Sequence, residues 1–526
     1  MLEPLARDGQ GHWAARVQFG PGDAPFAFRP DLFLVPVGDA EQIAIVERLV
    51  PGALRVRREP REGQSEGELV GASGFTLWAR RGANVPSIVR RLRAVGIAAQ
   101  PNHVFFADSA PDGIGANPVY GTPVYGTPVG ANPVYGTPVY GTPVYGTPVG
   151  ANPVYGTPVY GTPVGANPVY GTAAYGASMG GYPIVALCSC CGETDRCQCP
   201  KVQAAQASPV YPNPAYVARY YRDGSGIQYQ LTGARRSQAR PLLGMPASAN
   251  GAAAAWEQAP VRVAIIDTGC PLDRAKAGAN LPPNVLGDDV DAPDFDSDSY
   301  LDPVAGHGTF IAGLIARVAP GVGVMVLQGL STFGDGSEVT IAKVIEDLVD
   351  GKHGKPPDII NLSLSGYVLD HAKCLHNAIR KAFRQGIVVV ASAGNDGISR
   401  KAYPAAFKGV VSVAALGPHG PAPFSNWGSW VRACAPGVDV VSTFWVYRDG
   451  KEQRKYGIDP DEFLGWATWS GTSFAAPIVA GVIAKSMMSQ AISGADAVDV
   501  LIDQPGLFRL PCYGTVINEL AARPTS

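Results

Sequence analysis

Trp466-Ala-Thr-Trp-Ser-Gly-Thr-Ser-Phe-Ala-Ala-Pro-Ile-Val-Ala-Gly-Val-Ile-Ala484 runs from a polar turn straight into an apolar segment built of small side chains. Gly471 lets the backbone turn sharply, and Thr472 is placed to cap the helix that follows. Pro477 falls early in that helix, where few backbone hydrogen bonds are lost. Ala475, Ala476, Ala480, Gly481 and Ala484 allow close packing on every side, so the helix is expected to be buried. The Ser473 hydroxyl then lies at a buried helix N-terminus, beside unpaired N–H groups and a positive dipole end. Such a place suits a nucleophile that develops an oxyanion next to it. Taken alone, Gly-Thr-Ser-x-Ala-x-Pro is equally an ordinary capping turn.

Moving outward, three further polar groups stand at the ends of apolar elements. Val261-Arg-Val-Ala-Ile-Ile-Asp-Thr-Gly269 reads as a strand ending at Asp267. His307 sits between glycines at the mouth of an apolar helix, and Asn395 ends the strand Gly-Ile-Val-Val-Val-Ala-Ser-Ala-Gly-Asn. Rigid scaffolding meets solvent at such ends. Strand-like runs (358–364, 386–391) alternate with a helical one (371–385), which predicts an α/β fold with a mainly parallel sheet and helices on both faces.

These four motifs, in the order Asp, His, Asn, Ser, resemble those of the subtilisin-like serine proteases, the subtilases. The resemblance covers about residues 261–522. It implies a subtilisin-like fold and a serine endopeptidase working through an acyl-enzyme. Ser473 would be the nucleophile, His307 the general base and acid, and Asp267 the group that holds the imidazole. Asn395 would supply the oxyanion donor with the Ser473 backbone N–H. It further implies that Asn361-Leu-Ser-Leu-Ser-Gly366 is a substrate-binding strand, with Ser363, Leu364, Ser365 and Gly366 along the peptide. Leu330-Ser-Thr-Phe-Gly-Asp-Gly336, with Gly334, would oppose it, and Ala393 and Gly394 would help form the primary specificity pocket. Many relatives have glycine where this chain has Ser365, so a narrowed pocket is expected. Gly313-Leu-Ile-Ala-Arg-Val-Ala-Pro320 runs on directly where many relatives insert a calcium loop. The triad chemistry needs no cofactor, and that calcium loop is expected to be absent.

The rest of the 526 residues divides by composition. Residues 1–25 read as a tail. Residues 26–110 read as a small α+β, ferredoxin-like unit in the order strand–helix–strand–strand–helix–strand. Subtilases often carry an inhibitory propeptide of this kind, so an intramolecular inhibitor is expected, with Gln100–Ala107 as its last strand near the active site. Residues 111–175 hold a pentad repeat, eight Pro-Val-Tyr-Gly-Thr and three Pro-Val-Gly-Ala-Asn copies without a charge. Proline at every fifth place forbids a continuous helix, which predicts a disordered or turn-rich linker. Residues 176–257 continue as a linker that contains Cys188, Cys190, Cys191, Cys197 and Cys199, and 258–526 form the peptidase domain. Those five thiols can gather zinc, form local disulfides or stay free. The six aspartates Asp288, Asp289, Asp291, Asp294, Asp296 and Asp298 read first as a solvated acidic loop. Cys270, Cys374, Cys434 and Cys512, scattered singly, read as small buried apolar side chains. Residues 447–465 read as a polar insertion rimming the cleft.

The net charge of −2 gives no electrostatic case for nucleic acid or an anionic membrane. No membrane span and no secretory signal are read, so a cytoplasmic protein is expected, unconventional export aside. The partners expected are a protein or peptide substrate and the chain's own N-terminal unit. A processing protease, cutting few sites, is one form this function takes.

Overall fold

Arg262–Asp267 (β6 in the numbering below) is buried from its second residue onward, which is possible only for a strand covered on both faces. The structure, a computed structural model, describes residues 26–57, 68–107, 249–271, 281, 284–287, 304–369, 371–417, 420–448 and 462–517. It also describes two-residue strands at 6–7, 13–14, 18–19 and 235–236 and at six pairs between 124 and 175.

The N-terminal part comprises β1 (Ala27–Pro36), α1 (Ala40–Leu49), β2 (Leu54–Arg55), β3 (Gly71–Ala72), β4 (Phe75–Ala79), α2 (Val85–Ala94) and β5 (Gln100–Ala107). Asp39 and Asn84 cap the two helices by accepting from the backbone N–H of Gln42 and Ser87. Val85, Ile88, Val89 and Leu92 recur at helical spacing along α2 and bury one face. That face packs with Phe28, Phe33, Val35 and Trp78 in one apolar core. Arg90 and Arg91 are exposed on the opposite face. The strands lie in the order β5-β1-β4-β2.

The C-terminal part begins with α3 (Ala249–Gln258) and β6, then β7 (Val285–Leu286), α4 (His307–Val318) and β8 (Gly323–Gln328). It continues with β9 (Asp335–Ser337), α5 (Glu338–Val349), β10 (Ile359–Leu362), β11 (Leu364–Ser365), α6 (Lys373–Arg384), β12 (Val388–Ser392) and β13 (Val411–Gly417). β14 (Ala433–Pro436), β15 (Val440–Arg448), β16 (Glu462–Trp469), α7 (Thr472–Gln490), β17 (Arg509–Leu510) and β18 (Gly514–Val516) complete it. The main sheet runs β7-β8-β6-β10-β12-β13-β14-β18-β17, parallel except for the last pair. Ala264, Ile266, Ile360, Leu362, Val389 and Ala391 face a core shared with α5 and α6. The alternation of strand side chains turns their neighbours to the opposite face. There α4 packs on α7, which lies across the central strands.

From β6 the chain crosses to β8 on one side and later to β10 on the other. The carboxyl ends of β6 and β10 therefore flank a point where the winding reverses, the usual place for a site in such sheets. β15 and β16 form a long antiparallel pair where a polar rim was expected; residues 449–461 between them lie outside the described residues.

α7 is buried, as its small side chains imply. By length and composition it could cross a membrane, yet 83% of its apolar window is buried inside the protein, which is the mark of a core helix. Cys270, Cys374 and Cys434 are buried, as expected; Cys512 is disulfide-bonded, not a lone apolar side chain. Residues 110–233 form a separate unit. Within it, the Val144–Tyr145 strand pairs in parallel with Val124–Tyr125 and Val159–Tyr160, and Val154–Tyr155 with Val169–Tyr170. The rest of the repeat, the five clustered cysteines and the acidic loop lie outside the described residues.

Candidate active site

Asp267 ends β6 fully buried, and its Oδ1 accepts from the Thr268 N–H at 2.8 Å and from His307 Nδ1 at 2.7 Å. His307 opens α4 behind Gly306, whose φ of 79° lies in the left-handed region. A Cβ there would stand 2.5 Å from the Phe444 ring, so only glycine brings α4 in at this angle. The Gly308 N–H donates to Thr268 Oγ1 at 3.1 Å, tying the helix to the end of β6. Because Nδ1 donates to the carboxylate, Nε2 is the ring's proton acceptor. Trp469 and Phe474 wall the imidazole, each at 5.3 Å between ring centroids, and Nε2 makes no hydrogen bond.

Ser473 is the second residue of α7, and its hydroxyl donates to the Ser363 carbonyl at 3.0 Å. Ser363 Oγ returns a bond to the Ser473 carbonyl at 2.8 Å and accepts from Asn361 Nδ2 at 2.9 Å. The resting hydroxyl is thus held by the end of β10, not by His307. Catalytic hydrogen bonds often tighten only once substrate is bound.

Thr472 is not a side-chain cap: Gly471 occupies the N-cap position, with no side-chain bond. The Thr472 hydroxyl instead donates to Asn395 Oδ1 at 2.9 Å and accepts from the Gly394 N–H at 3.2 Å. The Thr472 N–H also donates to Asn395 Oδ1, at 3.0 Å. With its oxygen engaged twice, the amide plane is fixed and its Nδ2 end is turned away from Thr472. Asn426 was missed from sequence. Its Oδ1 accepts from the N–H groups of Asp396 and Ile398, and its Nδ2 donates to the Ala393 carbonyl at 3.0 Å, so it pins the loop carrying Asn395.

The expected substrate residues line a cleft that is filled. β5 of the N-terminal part lies between β9 and β11, antiparallel to both. Phe106 pairs with Asp335 and Ser365, Phe105 with Gly336, and Ala107 with Leu364. The Ala107 N–H donates to the Gly334 carbonyl at 2.8 Å. A Cβ on Gly366 would stand 2.9 Å from the Val104 carbonyl, so the bare backbone there admits the strand. Ser365 Oγ would be 3.2 Å from a Cβ on Gly394, so its hydroxyl occupies the side of the expected pocket. Among the described residues no group of three His, Cys, Asp or Glu side chains could hold a metal ion.

A model of the subtilase family, peptidase S8, matches residues 259–502. The thermophilic serine proteinase of Bacillus sp. strain AK1 is 34% identical over 42% of this chain and 51% of its own length. The intracellular serine protease of Paenibacillus polymyxa is 32% identical over 44% of this chain and 69% of its own. Subtilisin DY of Bacillus licheniformis is 33% identical over 44% of this chain and 77% of its own. The chain belongs to the subtilase family. It spans about half the length of the Bacillus sp. AK1 proteinase, 51%.

Proposed function

We propose that the chain is a serine endopeptidase that cleaves peptide bonds through an acyl-enzyme on Ser473. The observation that carries this reading is the wholly buried Asp267–His307 pair, with Nδ1 against the carboxylate and Nε2 without a hydrogen-bond partner. A serine hydroxyl attacks a carbonyl only when a base takes its proton. On rotation from Ser363, Ser473 Oγ would deliver its proton to His307 Nε2 as its oxygen bonds to the carbonyl carbon. Asp267 would steady the imidazolium, and His307 would return the proton to the leaving amine. Asn395, held by Thr472, would donate to the oxyanion. Water would then release the acyl group by the same steps.

The cleft between β9 and β11 would take a peptide as an added strand. The Ser365 hydroxyl beside Gly394 favours small or medium side chains in the primary pocket. The strand order β5-β1-β4-β2 is that of a ferredoxin-like unit, and β5 occupies the substrate's place. We read residues 26–110 as a propeptide-like inhibitor, and the enzyme as a processing protease that acts once this unit is displaced.

Labelling by a fluorophosphonate probe tests the activity. Because the label is covalent and accumulates whenever β5 leaves the cleft, wild type should label on prolonged incubation and Ser473→Ala should not. Equal labelling of both, or none of wild type, would overturn the proposal.

A further inference from the structure

Beside the strand that fills the cleft stand two carboxylates that the proposed chemistry does not use. Asp335 lies in β9 and Glu338 opens α5, and both are wholly buried. They are held alike. One oxygen of each is bonded from within the C-terminal part. Ser331 Oγ donates to Asp335 Oδ1 at 2.5 Å, and the Leu375 N–H donates to Glu338 Oε1 at 3.1 Å. The other oxygen of each is bonded from the N-terminal part. Arg29 Nη2 donates to Asp335 Oδ2 at 2.5 Å, and His103 Nδ1 to Glu338 Oε2 at 2.5 Å. Gln100 Nε2 adds a bond to Glu338 Oε1 at 2.7 Å. The Leu369 N–H donates to His103 Nε2 at 3.1 Å, which fixes Nδ1 as the ring's donor.

A buried carboxylate stripped of its partner is strongly unfavourable, so whatever replaces the N-terminal part must answer both charges or leave them to water. We propose that Asp335 and Glu338 are specificity-determining residues. They select peptides that carry cationic side chains, arginine or lysine, at two positions three residues apart. The register fixes those positions. The residue in the place of Phe106 pairs directly with Asp335, and directly opposed side chains in antiparallel strands are neighbours. The residue in the place of His103 stands where the imidazole now meets Glu338. Because Ser331 and Leu375 keep one oxygen of each carboxylate in place, the acceptors are oriented before the peptide arrives. In the resting chain Phe106 and His103 hold those two positions, and Asp335 is answered from the neighbouring β1 by Arg29. This inference rests on the cleft being a peptide-binding groove, as proposed above.

The test uses the full chain carrying Ser473→Ala, so binding is read without turnover. Fluorescent peptides with the sequence Gln100–Ala107 carry arginine or its neutral isostere citrulline in place of His103 or of Phe106. The arginine-to-citrulline ratio of Kd does not depend on how often β5 vacates the cleft, since both peptides meet the same competitor. Arginine should bind about tenfold more tightly at each position, the usual margin of a charge-assisted bond over a neutral one. Asp335→Asn should abolish the preference only at the Phe106 position, and Glu338→Gln only at the His103 position. If either variant fails to fold, the ratios on the parent chain still decide. Equal affinities for arginine and citrulline, a preference surviving both substitutions, or no binding of any peptide would overturn the inference. Failure of wild type to take the fluorophosphonate label would instead remove the proposed activity, leaving the binding result to stand or fall alone.

Discussion

Thr472 does more than its place in a helix-opening turn suggests. Its N–H and hydroxyl both bond to Asn395 Oδ1, and its hydroxyl also accepts from Gly394. It therefore aims the amide that would stabilise the oxyanion, without itself touching the reacting atoms. Removing a direct oxyanion donor lowers turnover about 10²–10³-fold. Thr472→Val keeps the backbone bond and loses the hydroxyl, so a smaller loss in kcat, about tenfold, is expected with KM unchanged. Thr472→Ser should restore most of it. A fall confined to KM, or no rescue by serine, would count against this role. The sequence could not disclose the arrangement, because a hydroxyl two places after a serine turn looks the same whether it caps or holds an amide. Asp267, His307, Asn395 and Ser473 were legible for the opposite reason. Each ends an apolar element, where a lone polar residue stands out. The pairs Arg29–Asp335 and His103–Glu338 join residues 306 and 235 positions apart, and nothing local marks them.

At the scale of elements, β5 is the piece that joins two sheets. It pairs with β9 on one edge and with β1 and then β11 along the other, so the sheet of the N-terminal part extends through the cleft. Its element type was readable from the run His-Val-Phe-Phe, and its place followed only from the family resemblance. Its docking depends on Phe105, fully buried in a core with Leu330, Ile341, Leu362 and Leu364. Truncating a buried phenylalanine costs about 3–5 kcal/mol. Phe105→Ala should therefore loosen β5 selectively. Amide hydrogen exchange at Phe106 and Ala107 should accelerate at least tenfold, while amides in β6 and α4 keep their protection. If β5 is the inhibitor, peptide hydrolysis by the full chain should rise in step. Unchanged exchange at Ala107 would mean that the strand is held by its backbone bonds and by the His103–Glu338 hydrogen bond, with little help from the aromatic anchor.

For the molecule as a whole, His376 predicts one acid-sensitive contribution to stability on the α5–α6 side of the sheet. His376 lies on α6 and stacks on Phe407 at 4.5 Å with the rings 13° from parallel. Burial is the first cause that pushes its pKa below the ordinary value of about 6.5, and the nearby Arg380 and His371 push the same way. The direction of the shift gives the sign. Above about 6.5 the imidazole is neutral in both folded and unfolded chains and costs nothing. As pH falls below that value the unfolded chain takes the proton first, so stability declines until pH has passed through the lower folded value. His376→Phe keeps the ring against Phe407 and removes the titration. Its Tm relative to wild type should stay constant between pH 7.5 and 8.5, settings chosen about one unit or more above the imidazole's ordinary value. From about pH 7 to pH 5 wild type should lose Tm more steeply than the variant. The comparison isolates His376 because other groups titrate equally in both chains. Parallel melting profiles across that range would show that the half-buried imidazole is solvated well enough to charge in place.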